Sequence, residues 1–208
     1  MTEISVTDVK GEPETGVDYR FCVYGDSIAF GYGVDGYSWF DVLTQTESSL
    51  KKAQNGEKIA DVADKLKQES FSYGVVIIAV GINDLLFPYH SGYSVPFSDL
   101  MAKYGTVLDF ASAKADKVVV QAVLPVREKL FPKQDWLDCP KQVFNRDIVA
   151  FNRNLSFLCR KKGAAYLDAY SVFDGLELSE FYLDAVHLNR AGQEKLCDFY
   201  RESGIIGI

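Results

Sequence analysis

The feature that most constrains the fold is an uninterrupted apolar run at residues 74–80, Gly-Val-Val-Ile-Ile-Ala-Val. The run is rich in β-branched residues and has the length of one strand. A strand without polar alternation is buried on both faces, which is typical of a parallel sheet covered by helices. Other strand-like runs lie at residues 19–24 and 117–123, with segments of helical spacing between them. The sequence therefore predicts an α/β fold.

Strands and helices are predicted to alternate along the chain. We expect strands at residues 19–24, 49–54, 74–80, 117–123 and 165–167, and helices at 39–46, 57–70, 99–115, 144–162 and 190–202. The second strand is polar, which indicates a short edge strand. Because parallel connections are right-handed, this element order predicts a three-layer α/β/α, flavodoxin-like sheet with strand order 2-1-3-4-5. Residues 1–208 are expected to form a single domain, with 1–18 as a polar N-terminal extension.

Charge and hydropathy exclude several classes of partner. The 208 residues carry a formal net charge of −7 and show no cluster of Lys and Arg, so we expect no nucleic acid partner. No apolar run approaches transmembrane length, so no membrane insertion is expected. The N-terminus lacks the basic and apolar stretches of a secretory signal. The oligomeric state stays open.

Cysteine and histidine usage indicates the compartment and argues against a metal. The four cysteines are scattered without a Cys-x-x-Cys pair, which predicts reduced packing thiols and a cytoplasmic protein; they are Cys22, Cys139, Cys159 and Cys197. Histidine occurs only at His90 and His187, so neither a metal site nor a cofactor is expected.

Three short motifs follow predicted strands, at the edge where ligands bind in such sheets. The first is Gly25-Asp26-Ser27, in which Gly25 permits a tight turn and Asp26 bonds to nearby backbone amides. Ser27 would lie near a helix N-terminus, whose partial positive charge favours a developing anion. Ser27 is therefore a candidate nucleophile, although a serine at such a turn also serves as an ordinary helix cap.

The other two motifs supply a base and an oxyanion donor. Asp184 lies three residues before His187, near enough to orient the imidazole as a base for Ser27; a buried structural histidine is the alternative. Asn83 follows Gly81, which lets the backbone turn sharply, and its amide donates to an oxyanion without titrating. Asparagine is also favoured in turns for conformational reasons alone.

Three further residues have weaker signals. Asp84 is expected to fix the loop after the third strand or to cap the next helix. Gly56, at the start of the helix predicted over 57–70, offers its backbone N–H as a further oxyanion donor, or is a plain turn glycine. His90 has no carboxylate at the spacing seen for His187 and is expected at the surface or in a pocket wall.

In combination these residues resemble the SGNH or GDSL-type hydrolases. Gly25-Asp26-Ser27 resembles the first sequence block of that family, with Ile28 where the family has leucine. Gly56 resembles the glycine of the second block, Gly81-x-Asn83-Asp84 the third block, and Asp184-x-x-His187 the fifth. The resemblance extends from the first predicted strand to the last predicted helix.

This resemblance implies a serine esterase or acylhydrolase. Ser27 would attack an ester carbonyl while His187 takes its proton and Asp184 orients the imidazole. The N–H groups of Ser27 and Gly56, together with the side chain of Asn83, would hold the oxyanion.

Aromatic residues near the predicted site bear on the substrate. They are Phe87, Tyr89, Tyr93, Phe97, Phe131 and Trp136. Phe87, Tyr89 and Tyr93 are candidate pocket walls, and the whole set either lines an acyl pocket, stacks on a sugar or packs over the sheet. No long apolar surface helix suggests a lipid interface. The sequence therefore favours a small soluble ester, with a short acyl group or an acetylated sugar.

Two other functions stay open from the sequence alone. An acyltransferase would use the same residues and pass the acyl group to a carbohydrate hydroxyl instead of water. A non-catalytic, flavodoxin-like binding module would use them only for turns and caps, although the chain has no phosphate-binding loop.

Overall fold

The computed structural model describes residues 16–86, 96–131 and 143–208. The strands of the described residues are β1 (Tyr19–Gly25), β2 (Ser49–Ala53), β3 (Tyr73–Ala79), β4 (Ala115–Gln121) and β5 (Ala165–Leu167). Their helices are α1 (Ser27–Phe30), α2 (Trp39–Leu43), α3 (Ile59–Lys67), α4 (Ile82–Leu86), α5 (Phe97–Ser112), α6 (Asn145–Lys162) and α7 (Arg190–Ser203). Short 3-10 helices lie at Glu128–Leu130 and Leu178–Glu180.

The five strands are parallel and lie in the order β2-β1-β3-β4-β5, which confirms the predicted topology. Strand β3 is central, and its Val76, Ile77 and Ile78 are fully buried, as a continuous apolar run requires. The polar strand β2 pairs only with β1 among the described strands and forms an edge of the sheet, as expected. All five strands therefore direct their carboxyl ends to one side of the molecule.

Helices cover the sheet in two layers. Helix α5 packs between α3 and α6, whereas α2 packs against α7. The second pair is joined by an aromatic contact, in which the rings of Trp39 and Tyr200 stack with centroids 4.3 Å apart. Both side chains are fully buried, so this contact anchors the C-terminal helix next to the segment that follows α1.

Most predicted elements begin or end one to three residues away from the observed bounds, and two of these differences have tertiary reasons. The fourth strand begins at Ala115, two residues before the predicted start, because Ala115 pairs with Tyr73 of β3. The helix predicted from residue 57 begins at Ile59, where the backbone N–H donates to Asp84 Oδ2 at 3.1 Å. Gly56 consequently lies in the turn before this helix and not at its start.

The cysteines behave as packing residues where they are described. Cys22, Cys159 and Cys197 are buried free thiols, and burial raises the pKa of each. Cys139 lies outside the described residues. Within the described ranges, no helix combines the length and the apolar character needed to cross a membrane.

Candidate active site

Ser27 is the first residue of α1, directly beyond the end of β1. Asp26 caps this helix, because its Oδ1 accepts the N–H of Ile28 at 3.0 Å. The turn needs a glycine at position 25, since a Cβ there would lie 2.4 Å from the Cβ of Ala29. The motif therefore places the Ser27 hydroxyl at the carboxyl edge of the sheet, with Asp26 and not Ser27 acting as the cap.

Ser27, His187 and Asp184 form a chain of hydrogen bonds. The distance between Ser27 Oγ and His187 Nε2 is 2.9 Å, and that between His187 Nδ1 and Asp184 Oδ2 is 2.7 Å. All three sequence-predicted residues thus meet, although Ser27 and His187 are 160 positions apart. With Nδ1–H donating to the carboxylate, Nε2 is left as an acceptor for the Ser27 hydroxyl.

Asp184 holds its own loop as well as the imidazole. Its Oδ1 accepts the backbone N–H groups of Val186 and His187, at 2.8 and 2.7 Å. The N–H of Leu183 donates to the His187 carbonyl at 2.8 Å and closes the loop. Burial opposes ionisation of Asp184, but the hydrogen bonds and charge of His187 outweigh it and hold the pKa of this carboxyl below its ordinary value.

Asn83 lies in the first turn of α4, after a sharp turn at Gly81. The backbone of Gly81 has φ +137°, and a Cβ there would lie 3.0 Å from Val123 Cγ2 and 3.1 Å from Phe151 Cε1. The buried Asn83 donates one amide hydrogen to the carbonyl of Glu57 at 3.0 Å. Since an amide carries two hydrogens, this bond fixes the side chain and leaves the second hydrogen for another acceptor.

The loops after β2 and β3 are bound to each other through Asn83 and Asp84. Asp84 is a supporting residue, as expected, but it caps α3, which precedes it in the chain, and not the next helix. Gly56 has φ +79° and lies one residue before Glu57, whose carbonyl holds Asn83. No described residue offers an acceptor to the Gly56 N–H, which lies at an exposed turn on the same edge of the sheet as Asn83.

Asp26 is a buried carboxyl beside the reacting groups. Burial raises its pKa to about 7, against the opposing effect of its bond with the Ile28 N–H. Asp26 also borders a cavity of about 20 Å³ that lies between the strand ends and Val186. This volume suits about one water molecule and is too small for an acyl chain.

The aromatic candidates divide into two sets. Phe97 packs edge-to-face on Phe151, with centroids 6.0 Å apart, and Phe131 is buried in the core, so both pack over the sheet. The candidate wall residues Phe87, Tyr89 and Tyr93 lie outside the described residues. So do His90 and Trp136. The described residues contain no group of His, Cys, Asp and Glu suited to holding a metal ion.

Two residues at the site have no motif in the sequence. The ring of Tyr32 packs on the His187 imidazole, with centroids 4.4 Å apart and planes at 38°. Gln193 of α7 is buried, and its Nε2 donates to the carbonyl of Ile28 at 2.9 Å. A polar residue at a position of α7 that faces the core was the available signal for Gln193, whereas a single exposed tyrosine gives none.

The fold is shared with solved hydrolase structures at low sequence identity. Axe2, an acetylxylan esterase from Geobacillus stearothermophilus, is 16% identical with a TM-score of 0.70, over 93% of this chain and 96% of that one. LAE5, an alpha/beta hydrolase enzyme from the metagenome of Lake Arreo in Spain, is 15% identical with a TM-score of 0.70, over 91% and 97% of the two chains. No curated protein matches the sequence.

A family model supplies the assignment that these distant structures alone do not. The model of the GDSL-like lipase/acylhydrolase family matches residues 23–195. This range begins within β1, includes Ser27, Asn83 and His187, and ends within α7. The chain therefore belongs to the GDSL-like lipase/acylhydrolase family.

Proposed function

We propose that the protein hydrolyses small, soluble carboxylic esters through an acyl-enzyme formed on Ser27. The observation that carries the proposal is the hydrogen bond of 2.9 Å between Ser27 Oγ and His187 Nε2, backed by Asp184 on the opposite ring nitrogen. This arrangement has a nucleophile, a general base and a group that orients the base. A non-catalytic binding module requires none of these contacts.

In the acylation step, Ser27 Oγ attacks the carbonyl carbon and His187 Nε2 takes the hydroxyl proton. The resulting imidazolium is stabilised by the Asp184 carboxylate, whose lowered pKa keeps it ionised at neutral pH. Collapse of the tetrahedral intermediate breaks the bond to the alcohol oxygen, which receives the proton from Nε2. Water then attacks the acyl-enzyme, His187 takes one of its protons, and release of the acid regenerates Ser27.

Three donors are proposed to stabilise the oxyanion. The backbone N–H of Ser27 lies at the start of α1, and the second amide hydrogen of Asn83 is not used by the bond with Glu57. The Gly56 N–H, next to Glu57, is the third donor. Because these groups are fixed before substrate binds, they stabilise the developing charge without reorganising, and loss of one costs about a hundredfold or more in turnover.

An acetylated sugar is the substrate class that the neighbours favour. Axe2 is an acetylxylan esterase, and two further structures of it are catalytic mutants in which a serine and a histidine, respectively, are replaced by alanine. Axe2 and this chain share 16% of their residues, and we carry over from Axe2 only the proposed class of substrate. The same residues would also serve transfer to a sugar hydroxyl, which product analysis separates from hydrolysis.

The test compares wild type with Ser27→Ala and His187→Ala on p-nitrophenyl acetate, p-nitrophenyl butyrate and an acetylated xylooligosaccharide. We expect each substitution to lower kcat by roughly a thousandfold or more, because both residues act in the same step. Lys129→Ala, a change within the Glu128–Leu130 turn, is the folded control. Full activity of Ser27→Ala would overturn the proposal. Acyl transfer to added sugar in preference to water would assign the protein as an acyltransferase.

A further inference from the structure

Two exposed apolar side chains lie on segments that contact His187. Tyr32 is 41% exposed although its ring packs on His187, and Leu183 is 46% exposed. Leu183 lies directly over Gly33, since a Cβ at that glycine would come within 2.6 Å of Leu183 Cδ1. Because Gly33 directly follows Tyr32 in the chain, Leu183 lies over the residue next to Tyr32, and the two side chains are called here the Tyr32–Leu183 shelf.

The backbone fixes this shelf relative to the nucleophile. The N–H of Tyr32 donates to the carbonyl of Ser27 at 3.0 Å, and the N–H of Gly31 donates to the same oxygen at 3.1 Å. On the other side, the N–H of Leu183 donates to the His187 carbonyl at 2.8 Å. The backbone of each half of the shelf is thus hydrogen-bonded to a residue of the candidate active site, which fixes where each side chain starts.

The chemistry of ester cleavage determines which part of a substrate meets the shelf. The carbonyl oxygen must point to the donors at Asn83 and Gly56, whereas the leaving alcohol oxygen must reach His187 Nε2 to receive its proton. The alcohol portion of the ester therefore lies on the histidine side of Ser27. Tyr32 is an exposed aromatic residue whose ring already packs on the imidazole.

We propose that the Tyr32–Leu183 shelf is the subsite for the alcohol portion of the ester, and that it selects alcohols with a six-membered ring. The flat face of a pyranose or aryl ring packs on an aromatic side chain, whereas an open-chain alcohol offers less contact. This assignment rests on the proposed esterase function and makes Tyr32 a specificity-determining residue. Sugar rings and aryl rings both present such a flat face, so either kind of alcohol could occupy the shelf.

The first experiment keeps the acyl group constant and changes the alcohol. kcat/KM is measured for ethyl acetate, phenyl acetate and a mono-acetylated methyl pyranoside with wild type, Tyr32→Leu and Tyr32→Phe. The ratio of variant to wild type is taken for each ester, so the intrinsic reactivity of each leaving group cancels. We expect Tyr32→Leu to lower kcat/KM for a ring alcohol about 3- to 10-fold more than for ethyl acetate, and Tyr32→Phe to retain the preference.

Controls separate the shelf from general effects. Phe157→Leu removes an aromatic ring that is 65% exposed on the C-terminal half of α6, a helix that ends just before the amino end of β5. We expect this variant to leave all three ratios at one. A loss confined to phenyl acetate assigns the shelf to arenes, and one confined to the pyranoside assigns it to sugars. Equal losses on all three esters, or no loss, would overturn the shelf while leaving the esterase function intact.

A second readout does not require turnover. The chain has two histidines, so the ring protons of His187 can be identified in an NMR spectrum as the signals absent from His187→Ala. Titration with methyl xylopyranoside or phenol should shift these signals in wild type but not in Tyr32→Leu, and ethanol should shift neither. If wild type hydrolyses no ester yet shows these shifts, the esterase function fails and the ring-binding shelf stands. Absence of any shift contradicts the shelf.

Discussion

Gln193 on the last helix is joined to Ile28, the residue after the candidate nucleophile, by a hydrogen bond of 2.9 Å from Nε2 to the backbone carbonyl. Its Oε1 accepts the N–H of Trp39 at 3.0 Å, so one buried amide links α1, α2 and α7. Helix α7 begins three residues after His187, and α1 begins at Ser27. Gln193 thereby fixes the two halves of the Ser27–His187 pair relative to each other.

Substitution of Gln193 should reduce both stability and turnover. Gln193→Leu leaves the backbone N–H of Trp39 buried without a partner and leaves the Ile28 carbonyl only the N–H of Gly31, at 3.3 Å. We expect this change to cost about 1–3 kcal/mol in the free energy of unfolding. Because α1 is released, kcat should fall more than KM rises. Urea unfolding and steady-state kinetics measure the two effects. Unchanged kcat in a variant destabilised by that amount would show that Gln193 acts only in packing.

Asp184→Asn should abolish most activity without unfolding the loop. The asparagine Oδ1 still accepts the N–H groups of Val186 and His187, but its amide donates toward His187 Nδ1 and favours the tautomer with the proton on Nε2. A protonated Nε2 cannot take the proton from Ser27, so we expect kcat to fall by roughly a thousandfold or more. Thermal unfolding should show a Tm close to that of wild type. A variant with wild-type kcat would refute the orienting role of Asp184.

Gly81→Ala tests whether the core positions Asn83. The added methyl meets Val123 and Phe151 at a backbone φ of +137°, so we expect a loss of about 1–3 kcal/mol in the free energy of unfolding and a lower kcat. Gly163→Ala is the matched control, since Gly163 also has positive φ but a Cβ there meets nothing within 4 Å. Denaturant unfolding gives the free energy of unfolding of both variants, and kcat is compared under conditions in which the folded fractions are equal. Equal effects would mean that backbone strain alone decides the outcome.

Glu69 should make stability depend on pH in the acid range. Its carboxylate accepts hydrogen bonds from Tyr24, Tyr73 and Lys52, and these outweigh burial to lower its pKa from 4.5 to about 2. A lowered folded-state pKa contributes stability above pH 4.5, and this contribution is lost as the pH falls from 4.5 towards 2. The difference in unfolding free energy between wild type and Glu69→Gln should therefore be largest near neutral pH and shrink on acidification.

Urea unfolding at pH 7, 4 and 3 measures this difference. Glu47→Gln is the control, because the ion pair between Glu47 and Arg20 is more exposed and should contribute little at any pH. A wild-type advantage over Glu69→Gln that stays constant from pH 7 to pH 3 would contradict the assignment.

The sheet and most of the candidate site could be predicted from the sequence, because both depend on local patterns. Continuous β-branched runs located the strands to within about two residues, and connection handedness ordered them. The spacing of Asp184 and His187 is itself a local signal. The bounds of the short helices α1 and α4 were not predicted, since four or five residues show no helical period.

Contacts between residues far apart in the chain could not be predicted from the sequence. Asp84 caps a helix that begins 25 residues earlier, and this tertiary bond moved the start of α3 to Ile59. Gln193 and Tyr32 likewise gain their positions from partners more than 150 residues away. No periodicity or short motif records such pairings, because they exist only after the sheet has brought the loops together.

The separation between Ser27 and His187 also has a consequence for synthesis of the protein. The ribosome synthesises Ser27 160 residues before His187, when most strands of the sheet have not yet been made. Until the segment after β5 has folded back onto α1, a nascent chain holds the serine and the amide donors with no group to activate them. Under the proposed mechanism, ester hydrolysis begins only once the last loop has docked, so enzymatic activity would report the completion of co-translational folding.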